Sequence, residues 1–220
     1  DIVYAKNAGK LVSAFAFCHG GKKISLSVPY PGIAGVYNSV CAGAVCSYLG
    51  VSDDIIKEGL ESISVKGRNE IINSPLGFSI IIDYAHNELS VKTLYETISP
   101  YRNGKVWTVF GCGGNRSKLR RYTMGDIVTK NSDVAVVTSD NPRFEKLDDI
   151  ISDIMQGITS PMGEVKVIKD RKEAIEYCLK NAKRDDIILI IGKGHQGYEE
   201  IEGVKYPFDE RKIVTDFLGL

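Results

Sequence analysis

From Gly67 onward, short apolar runs of strand length alternate with longer segments whose apolar residues recur at helical spacing. The predicted strands are Phe78–Ile82, Val106–Phe110, Val134–Thr138, Val165–Ile168 and Ile187–Ile191. This alternation predicts an α/β fold with a doubly wound, mostly parallel sheet. Right-handed crossover connections would then bring the loops that follow the strands to one edge of that sheet.

The first part of the chain has a different pattern, in which two β-prone runs precede two helices. Leu11–Phe17 and Ile24–Val28 are predicted strands, and the segment His19–Lys22 between them indicates a hairpin turn. A helix is expected over about 36–48, ending near Gly50. The chain enters this pattern abruptly, which leads us to expect that it is cut from a longer protein.

A second helix of this first part is expected to follow a cap at Ser52 or Asp53. Its four isoleucine and leucine residues are predicted to share one buried face. These residues are Ile55, Ile56, Leu60 and Ile63.

Composition excludes several classes of function. The 28 basic and 28 acidic side chains give a formal net charge of +0, so no global attraction to nucleic acid is expected. No apolar stretch approaches the roughly 20 residues that a membrane span needs, and the first residues do not resemble a signal peptide. The five cysteines are irregularly spaced without a C-x-x-C pair, which favours a reducing cytosol over a disulfide framework or a zinc site.

The tetrapeptide Asp140-Asn141-Pro142-Arg143 directly follows a predicted buried strand. Loops at the carboxyl ends of parallel strands are where open α/β sheets bind ligands. Pro142 stiffens this loop, and the planar guanidinium of Arg143 is suited to hold a carboxylate with two hydrogen bonds. A solvent-exposed turn with an idle arginine is the alternative.

Three other strand-end loops carry polar groups. Asp83-Tyr84-Ala85-His86 offers a carboxylate for a ribose hydroxyl or a cation, unless Asp83 only caps the next helix. The loop Gly111–Arg121 combines glycines with four cations, either as an anion site or as a solvated charge run. It fails the G-x-G-x-x-G pattern, because Arg116 occupies the third glycine position.

The fourth loop, Gly192 to Gln196, places a lysine between two glycines, which suits a phosphate or carboxylate but is also typical of a tight turn. Together, the loops with Arg116, Arg143 and Gly192 are predicted to converge on one crevice. Their shared preference is for a multiply charged, amino-acid-like anion, in which each arginine holds one carboxylate.

Four motifs in this order resemble the C-terminal half of the Mur ligases, and within that family the synthetases that add a diamino acid to a muramyl dipeptide. They are Asp83-Tyr84-Ala85-His86, Val109 to Gly114, Asp140-Asn141-Pro142-Arg143 and Gly192-Lys193-Gly194-His195. Tyr37-Asn38 and Gly67-Arg68-Asn69-Glu70 are similar to the end of the family's central ATPase domain.

The resemblance implies that residues 1–68 are the C-terminal part of an ATPase domain and that 69–220 are a complete Rossmann-like, amino-acid-binding domain. It implies a monomeric, cytoplasmic bacterial enzyme of peptidoglycan synthesis that uses ATP and Mg²⁺. The reaction would add meso-diaminopimelate to UDP-MurNAc-L-Ala-D-Glu through an acyl phosphate. Because the 220 residues contain no G-x-x-x-x-G-K-[ST] phosphate loop, we expect this segment to be inactive alone and to supply no metal ligand.

The resemblance also assigns roles to residues. Asn38, Arg68 and Asp83 are expected at the ATP, with His86 as a nearby catalytic residue. The expected amino-acid-binding residues are Arg116, Asp140, Asn141, Pro142, Arg143, Gly192 and Gln196. In the family, an arginine at the position of Arg143 accompanies meso-diaminopimelate, whose second carboxylate needs a cationic partner.

The chain departs from the family pattern at several positions. Gln196 replaces a glutamate that meets the distal ammonium of diaminopimelate, and Asn87-Glu88 replaces Thr-Pro. Asn115 and Tyr122 replace an aspartate and a proline. These changes leave two alternatives open: a diverged ligase that adds L-lysine or another amine, and a non-catalytic module that binds an anionic metabolite.

Overall fold

A computed structural model describes residues 2–3, 11–19 and 21–220 of this chain. The chain divides into two compact units, Asp1–Val65 with Thr97–Tyr101, and Lys66–Glu96 with Arg102–Leu220. The domain boundary that the sequence predicts after residue 68 stays a prediction.

The first unit is a small antiparallel sheet with two helices. Its elements are β1 (Ile2–Val3), β2 (Ser13–His19), β3 (Lys22–Val28), α1 (Ile33–Tyr48) and α2 (Asp53–Ser62), with a short 3-10 turn at Ser99–Tyr101. The strand order is β1-β2-β3. β2 pairs with β3 from Ser13↔Val28 to His19↔Lys22, which confirms the predicted hairpin. Gly20, within its turn, lies outside the described residues.

The core of this unit forms where the inward-facing side chains of the hairpin meet α1 and α2. Its buried members are Phe15, Phe17, Ile24, Leu26, Val28, Val36, Ile56 and Leu60. The predicted apolar face of α2 is half wrong, because Ile55 is 61% and Ile63 is 42% exposed. Only Ile56 and Leu60 are one helical turn apart, whereas Ile55 points elsewhere and Ile63 lies beyond the last helical residue.

The second unit contains a six-stranded sheet of order β4-β5-β9-β6-β7-β8. Only the edge strand β4 is antiparallel, so the predicted doubly wound, mostly parallel α/β architecture is confirmed. The strands are β4 (Glu70–Asn73), β5 (Ser79–Asp83), β6 (Val106–Phe110), β7 (Val134–Val137), β8 (Glu164–Val167) and β9 (Ile187–Ile191). The helices are α3 (Glu88–Ile98), α4 (Lys118–Asn131), α5 (Leu147–Gln156), α6 (Arg171–Asn181) and α7 (Glu210–Leu218).

Two faces of this sheet are covered by different side chains. On one face, Trp107 and Val109 of β6 pack with Ile175 and Leu179 of α6 in a wholly apolar core. On the other face, Thr108 hydrogen-bonds to Tyr95 of α3 at 2.8 Å, and Ser132 lies 2.8 Å from both hydroxyls. The alternation of strand side chains between the two faces explains why β6, β7 and β9 are buried along their whole length.

Two features were not predicted from the sequence: the edge strand β4 and a hairpin formed by β10 (Tyr198–Ile201) and β11 (Val204–Pro207). All four residues of β11 are exposed, so the hairpin carries no burial pattern that would indicate it. Glu202 and Gly203 between the strands both have positive φ, 49° and 79°, which is the backbone of a tight hairpin turn. A Glu-Gly pair is a weaker signal for that turn than Asn-Gly.

Candidate functional site

A cavity of about 130 Å³ opens at the carboxyl edge of the six-stranded sheet. Four loops line it, each directly following a parallel strand. The loop after β5 contributes His86, the loop after β6 contributes Arg116, the loop after β7 contributes Asp140 and Arg143, and the loop after β9 contributes Gly192 and Gln196. The parallel topology thus brings the polar residues of these four loops to one place.

Asn141 is the hydrogen-bonding centre of this edge. Its side-chain oxygen accepts from the Lys193 ammonium and from the backbone N–H of Glu200, both at 2.9 Å. Its side-chain nitrogen donates to Gln196 Oε1 at 2.9 Å, and its carbonyl accepts from Gly114 N–H at 2.9 Å. One buried amide therefore ties the loops after β6, β7 and β9 together.

Arg143 sits in the left-handed region, with φ 53°, and joins the cavity to the β10–β11 hairpin. Its backbone N–H donates to Glu200 O at 2.9 Å, and its carbonyl accepts from Glu202 N–H at 2.7 Å. In the side chain, Nη1 donates to Gly114 O at 2.8 Å and Nε lies 3.3 Å from Glu200 Oε2. Among the described residues Nη2 has no partner, so this end of the guanidinium can still donate to a carboxylate.

The glycine-rich loop after β6 approaches the Asp140–Arg143 loop more closely than any side chain would allow. A Cβ on Gly114 would overlap the carbonyl of Pro142, and the same close approach lets Gly114 N–H reach Asn141 O. Pro142 is buried and does not itself line the cavity. It accepts from Glu145 N–H at 3.0 Å, so its role is to shape the loop.

The four cations predicted in this loop divide into two pairs. Arg116 and Arg120 line the cavity beside the N-terminus of α4, whose positive end also favours an anion. Arg121 is 1% exposed and donates to Glu145 at 2.8 Å and to Asp153 at 2.9 Å, while Lys118 lies 3.5 Å from Asp153. Arg121 also lines the cavity, but its two carboxylate partners neutralise it within the fold.

The lysine of the Gly192–Gln196 loop also has a structural role. Lys193 is completely buried, and its ammonium donates to Asn141 Oδ1 and to Tyr198 O, each at 2.9 Å. Burial lowers the pKa of Lys193, and the nearby Asp140 carboxylate opposes that change. The contacts of Lys193 are thus made within the protein, and anion binding by this loop stays a prediction. Gly192, in contrast, has φ 111° and lies against Asp140 Oδ2, where a Cβ would fill the space.

Behind this edge lies Arg171, which the sequence analysis missed. Its guanidinium donates to Ser139 O at 2.9 Å, to Ile191 O at 2.7 Å and to Glu210 Oε1 at 2.7 Å. Ser139 and Ile191 immediately precede Asp140 and Gly192, so one side chain sets the separation of two cavity loops. A charged residue at a helix start resembles a surface residue, and no sequence signal distinguishes it.

Asp83 and His86 follow β5. The two oxygens of Asp83 accept from the backbone N–H groups of Asn69 at 2.7 Å and Ala85 at 2.8 Å, so Asp83 orders its own loop. Burial raises the pKa of Asp83, and these two hydrogen bonds oppose that rise. Asn87 caps α3 instead, by accepting from Ser90 N–H at 3.0 Å. The alternative that Asp83 only caps the helix is therefore wrong.

His86 lines the cavity with a fixed tautomer. Its Nδ1 lies 2.8 Å from Tyr84 O, and because a carbonyl only accepts, Nδ1 carries the hydrogen. In the neutral ring, Nε2 then presents a lone pair. Arg68 is exposed, with its guanidinium 4.6 Å from the centre of the Tyr84 ring. Asn38 belongs to the other compact unit, where it is exposed on α1.

Cys112 is the cavity residue that most resembles a nucleophile, and its environment argues against that role. Burial raises its pKa to about 12, and the Asp140 carboxylate adds to the rise. The group is therefore a neutral thiol at physiological pH. Within the described parts of the chain, no three His, Cys, Asp or Glu residues are grouped so that they could hold a metal ion. The helices described are all too short or too polar to cross a membrane.

Comparison with known proteins identifies the family to which this chain is related. Residues 67–194 match the family model described as Mur ligase, glutamate ligase domain. A UDP-N-acetylmuramoyl-L-alanyl-D-glutamate--2,6-diaminopimelate ligase from Caldanaerobacter subterraneus is 41% identical over 198 residues, 90% of this chain and 41% of the relative. The corresponding ligase from Aquifex aeolicus is 40% identical over 207 residues, 94% of this chain and 42% of that protein.

Solved structures agree with this placement. A structure of UDP-N-acetylmuramoyl-L-alanyl-D-glutamate--2,6-diaminopimelate ligase superposes with a TM-score of 0.73 and 28% identity, covering 100% of this chain and 44% of that one. A folylpolyglutamate synthase from Thermotoga maritima shares the fold, with a TM-score of 0.67 at 23% identity over 85% of this chain and 42% of that one. This chain spans less than half the length of these relatives. Because the family model matches more than half of its residues, the chain belongs to the Mur ligase family and carries that family's glutamate ligase domain.

Proposed function

We propose that this chain is the amino-acid-binding portion of an ATP-dependent ligase that adds meso-diaminopimelate to UDP-MurNAc-L-Ala-D-Glu. The observation that carries the proposal is that Arg116 and Arg143, from different loops, line the same cavity as Asp140. Two cations and one carboxylate suit a zwitterion with two carboxylates. The names of relatives that are about 40% identical support the choice of reaction.

Each charged group has a part in holding that zwitterion. Nη2 of Arg143 binds one carboxylate, and Arg116 with the α4 N-terminus binds the other. The Asp140 carboxylate is 9% exposed and accepts no hydrogen bond from the part of the protein that the structure describes. It therefore has capacity for the ammonium of the amino acid, which is the group that must be delivered as the nucleophile.

His86 is the proposed proton acceptor. The hydrogen bond from Nδ1 to Tyr84 O leaves the Nε2 lone pair available at the cavity wall. An amine attacks only after it loses a proton, and a base within the same cavity can accept that proton directly. The narrow cavity also limits water near the activated carboxylate, which would otherwise be hydrolysed.

ATP and Mg²⁺ are the proposed cofactors, and residues of this chain supply only part of their site. Arg68 is exposed, with its guanidinium stacked on Tyr84, which suits a phosphate oxygen. Each Asp83 oxygen already accepts one backbone hydrogen bond and retains a lone pair for a hydroxyl. Asn38 would contribute from residues 1–68, the proposed remnant of the ATPase domain. ATP supplies the phosphoryl group that activates the carboxylate of the muramyl dipeptide.

The 220 residues contain no phosphate loop, so this segment alone is proposed to bind the amino acid without catalysing the reaction. We propose a cytoplasmic, monomeric enzyme that contacts neither nucleic acid nor membrane. The alternative of a ligase for L-lysine or another amine is kept because Gln196 replaces the family's glutamate.

Calorimetric titration of meso-diaminopimelate into the chain tests the proposal. Arg143→Ala removes one carboxylate partner and should raise the dissociation constant about 30-fold or more. Arg184→Ala, an exposed arginine near the opposite edge of the sheet, makes the same change in charge and should leave the dissociation constant unchanged. Equal affinity in wild type and Arg143→Ala would contradict the pocket assignment. Tighter binding of L-lysine than of the diacid would favour the alternative ligase.

A further inference from the structure

The orientation of the Gln196 side chain follows from a buried relay of hydrogen bonds. Lys193 Nζ and the backbone N–H of Glu200 both lie 2.9 Å from the same Asn141 side-chain atom. Both groups donate, so the atom they meet is the amide oxygen and not the amide nitrogen. The orientation of the Asn141 amide is thus determined by two neighbours that cannot reverse their roles.

The orientation of Asn141 determines that of Gln196. With its oxygen occupied by two donors, Asn141 turns Nδ2 toward Gln196, where it lies 2.9 Å from Oε1. An amide nitrogen only donates, so Gln196 must meet it with its oxygen. Gln196 Nε2 is left without a hydrogen-bond partner in the described part of the protein, on a side chain that lines the cavity.

From this relay we infer that Gln196 is a specificity-determining residue that offers hydrogen-bond donors, so the site selects a substrate with a carboxylate or carbonyl oxygen beside Gln196. This inference rests on the proposed function and narrows its substrate class. A second ammonium beside Nε2 would meet a donor there instead of an acceptor. The substrate class is therefore an α-amino acid with a remote second carboxylate, in which the second amine is not recognised.

The relay also distinguishes Gln196 from a glutamate at the same position. A glutamate carboxylate could accept from Asn141 Nδ2 with one oxygen and from a substrate ammonium with the other. Glutamine cannot do both equally well, because its second polar atom is a donor. One atom of difference thus changes which end group of the substrate the cavity recognises.

Two ligands and two variants test the inference. meso-Diaminopimelate and 2-aminopimelate share the carbon skeleton and both carboxylates, and only the first has the second amine. Calorimetry on the wild-type chain should give dissociation constants within about threefold of each other. Gln196→Glu should prefer meso-diaminopimelate by about tenfold or more, because the new carboxylate pairs with the second ammonium.

Asn141→Asp tests the relay itself. Aspartate in place of Asn141 only accepts, so Gln196 should turn Nε2 toward it and present Oε1 to the cavity. Preference for meso-diaminopimelate should then rise in the same direction as in Gln196→Glu, although Gln196 itself is unchanged. The ratio of the two dissociation constants is the measured quantity, so a general loss of affinity does not affect the result.

The outcomes separate this inference from the proposed function. Binding of both diacids with a tenfold preference for meso-diaminopimelate in the wild type overturns the inference and leaves the proposed function intact. If the ratio of the two dissociation constants is unchanged in Gln196→Glu, the inference is overturned as well. This variant suffices for the test even if Asn141→Asp fails to fold. If neither diacid binds the folded wild-type chain, the proposed function fails and the inference fails with it.

Discussion

The six-stranded sheet has an amino edge, where its parallel strands begin, and a carboxyl edge, where they end. Charged and polar side chains have opposite roles at these two edges. At the amino edge, Asp186 accepts from Lys105 N–H at 2.8 Å, Trp107 Nε1 at 2.9 Å and Lys183 N–H at 2.9 Å. Asp133 accepts from Val106 N–H at 2.7 Å and from Arg102 at 2.8 Å. These two carboxylates thus have their partners within the protein.

At the carboxyl edge, comparable groups are left available. Asp140 accepts no hydrogen bond among the described residues, Arg116 donates only to the neighbouring Asn115 O at 3.3 Å, and Gln196 Nε2 is free. A polar group with protein partners stabilises the fold, whereas a buried polar group without them favours a ligand that supplies the missing partner. The difference between the edges indicates where the protein binds its substrate and where it does not.

Substitution of Arg171 should have the largest effect on stability. Arg171 lies at the carboxyl edge, but its hydrogen-bond partners are all within the protein, as they are for Asp186 and Asp133 at the amino edge. Arg171→Met removes a buried cation from Glu210 and from two strand-end carbonyls, and should lower the free energy of unfolding by about 3–5 kcal/mol. Urea denaturation measures this change. Lys172→Met is the control, since Lys172 is exposed and should change stability by less than about 0.5 kcal/mol. Similar stabilities for the two variants would show that Arg171 does not brace the edge.

Asp186→Ala tests the amino edge. The substitution leaves three N–H donors without their acceptor, one of them the buried Trp107 indole, and should cost about 2–3 kcal/mol of unfolding free energy. Affinity of the folded protein for diaminopimelate should stay within about twofold, because the cavity is at the other end of the strands. A large loss of affinity in the folded Asp186→Ala protein would mean that the two edges are not independent.

Arg116→Ala makes the opposite test. Arg116 is exposed and has no ion pair within the described residues, so its loss should change stability by less than about 0.5 kcal/mol. The dissociation constant for meso-diaminopimelate should rise about tenfold, because one carboxylate loses its cation. Lys118→Ala, a nearby exposed cation paired with Asp153, should not affect affinity. Calorimetry and urea denaturation of the same samples measure both quantities, and equal affinities for the two variants would remove Arg116 from the site.

Sequence patterns predicted most strands of the second unit, because buried strands consist of uninterrupted apolar residues. β6 and β9 have the predicted bounds, since an uninterrupted apolar run is what a strand buried on both faces requires. The β10–β11 hairpin escaped prediction because its exposed residues have no apolar period. Loop positions followed from the topology, which is why residues of three strand-end loops could be predicted to share a crevice.

The sequence could not predict which basic side chains stabilise the fold and which are available in the cavity. Arg121 and Lys193, like Arg116, are basic residues that follow a strand in a stretch containing glycine. Both are nevertheless buried and hydrogen-bonded to protein oxygens. This division depends on partners distant in the chain, such as Asp153 for Arg121 and Asn141 for Lys193. Only the folded geometry brings those partners together.

Glu145 should give the smallest effect, and only at acid pH. Its hydrogen bond from Arg121 holds the pKa of the Glu145 carboxyl below its usual range. A carboxyl whose pKa is lowered in the folded state stabilises the fold above the unfolded pKa, near 4.3. That contribution is lost as pH falls through the lower folded pKa.

Glu145→Gln should therefore cost up to about 1 kcal/mol of unfolding free energy at pH 7 and progressively less below about pH 4. The wild-type and variant stabilities should converge there, because a protonated Glu145 resembles glutamine. Urea denaturation between about pH 3 and 7 measures both curves. A constant offset across that range would show that Glu145 acts through packing rather than charge.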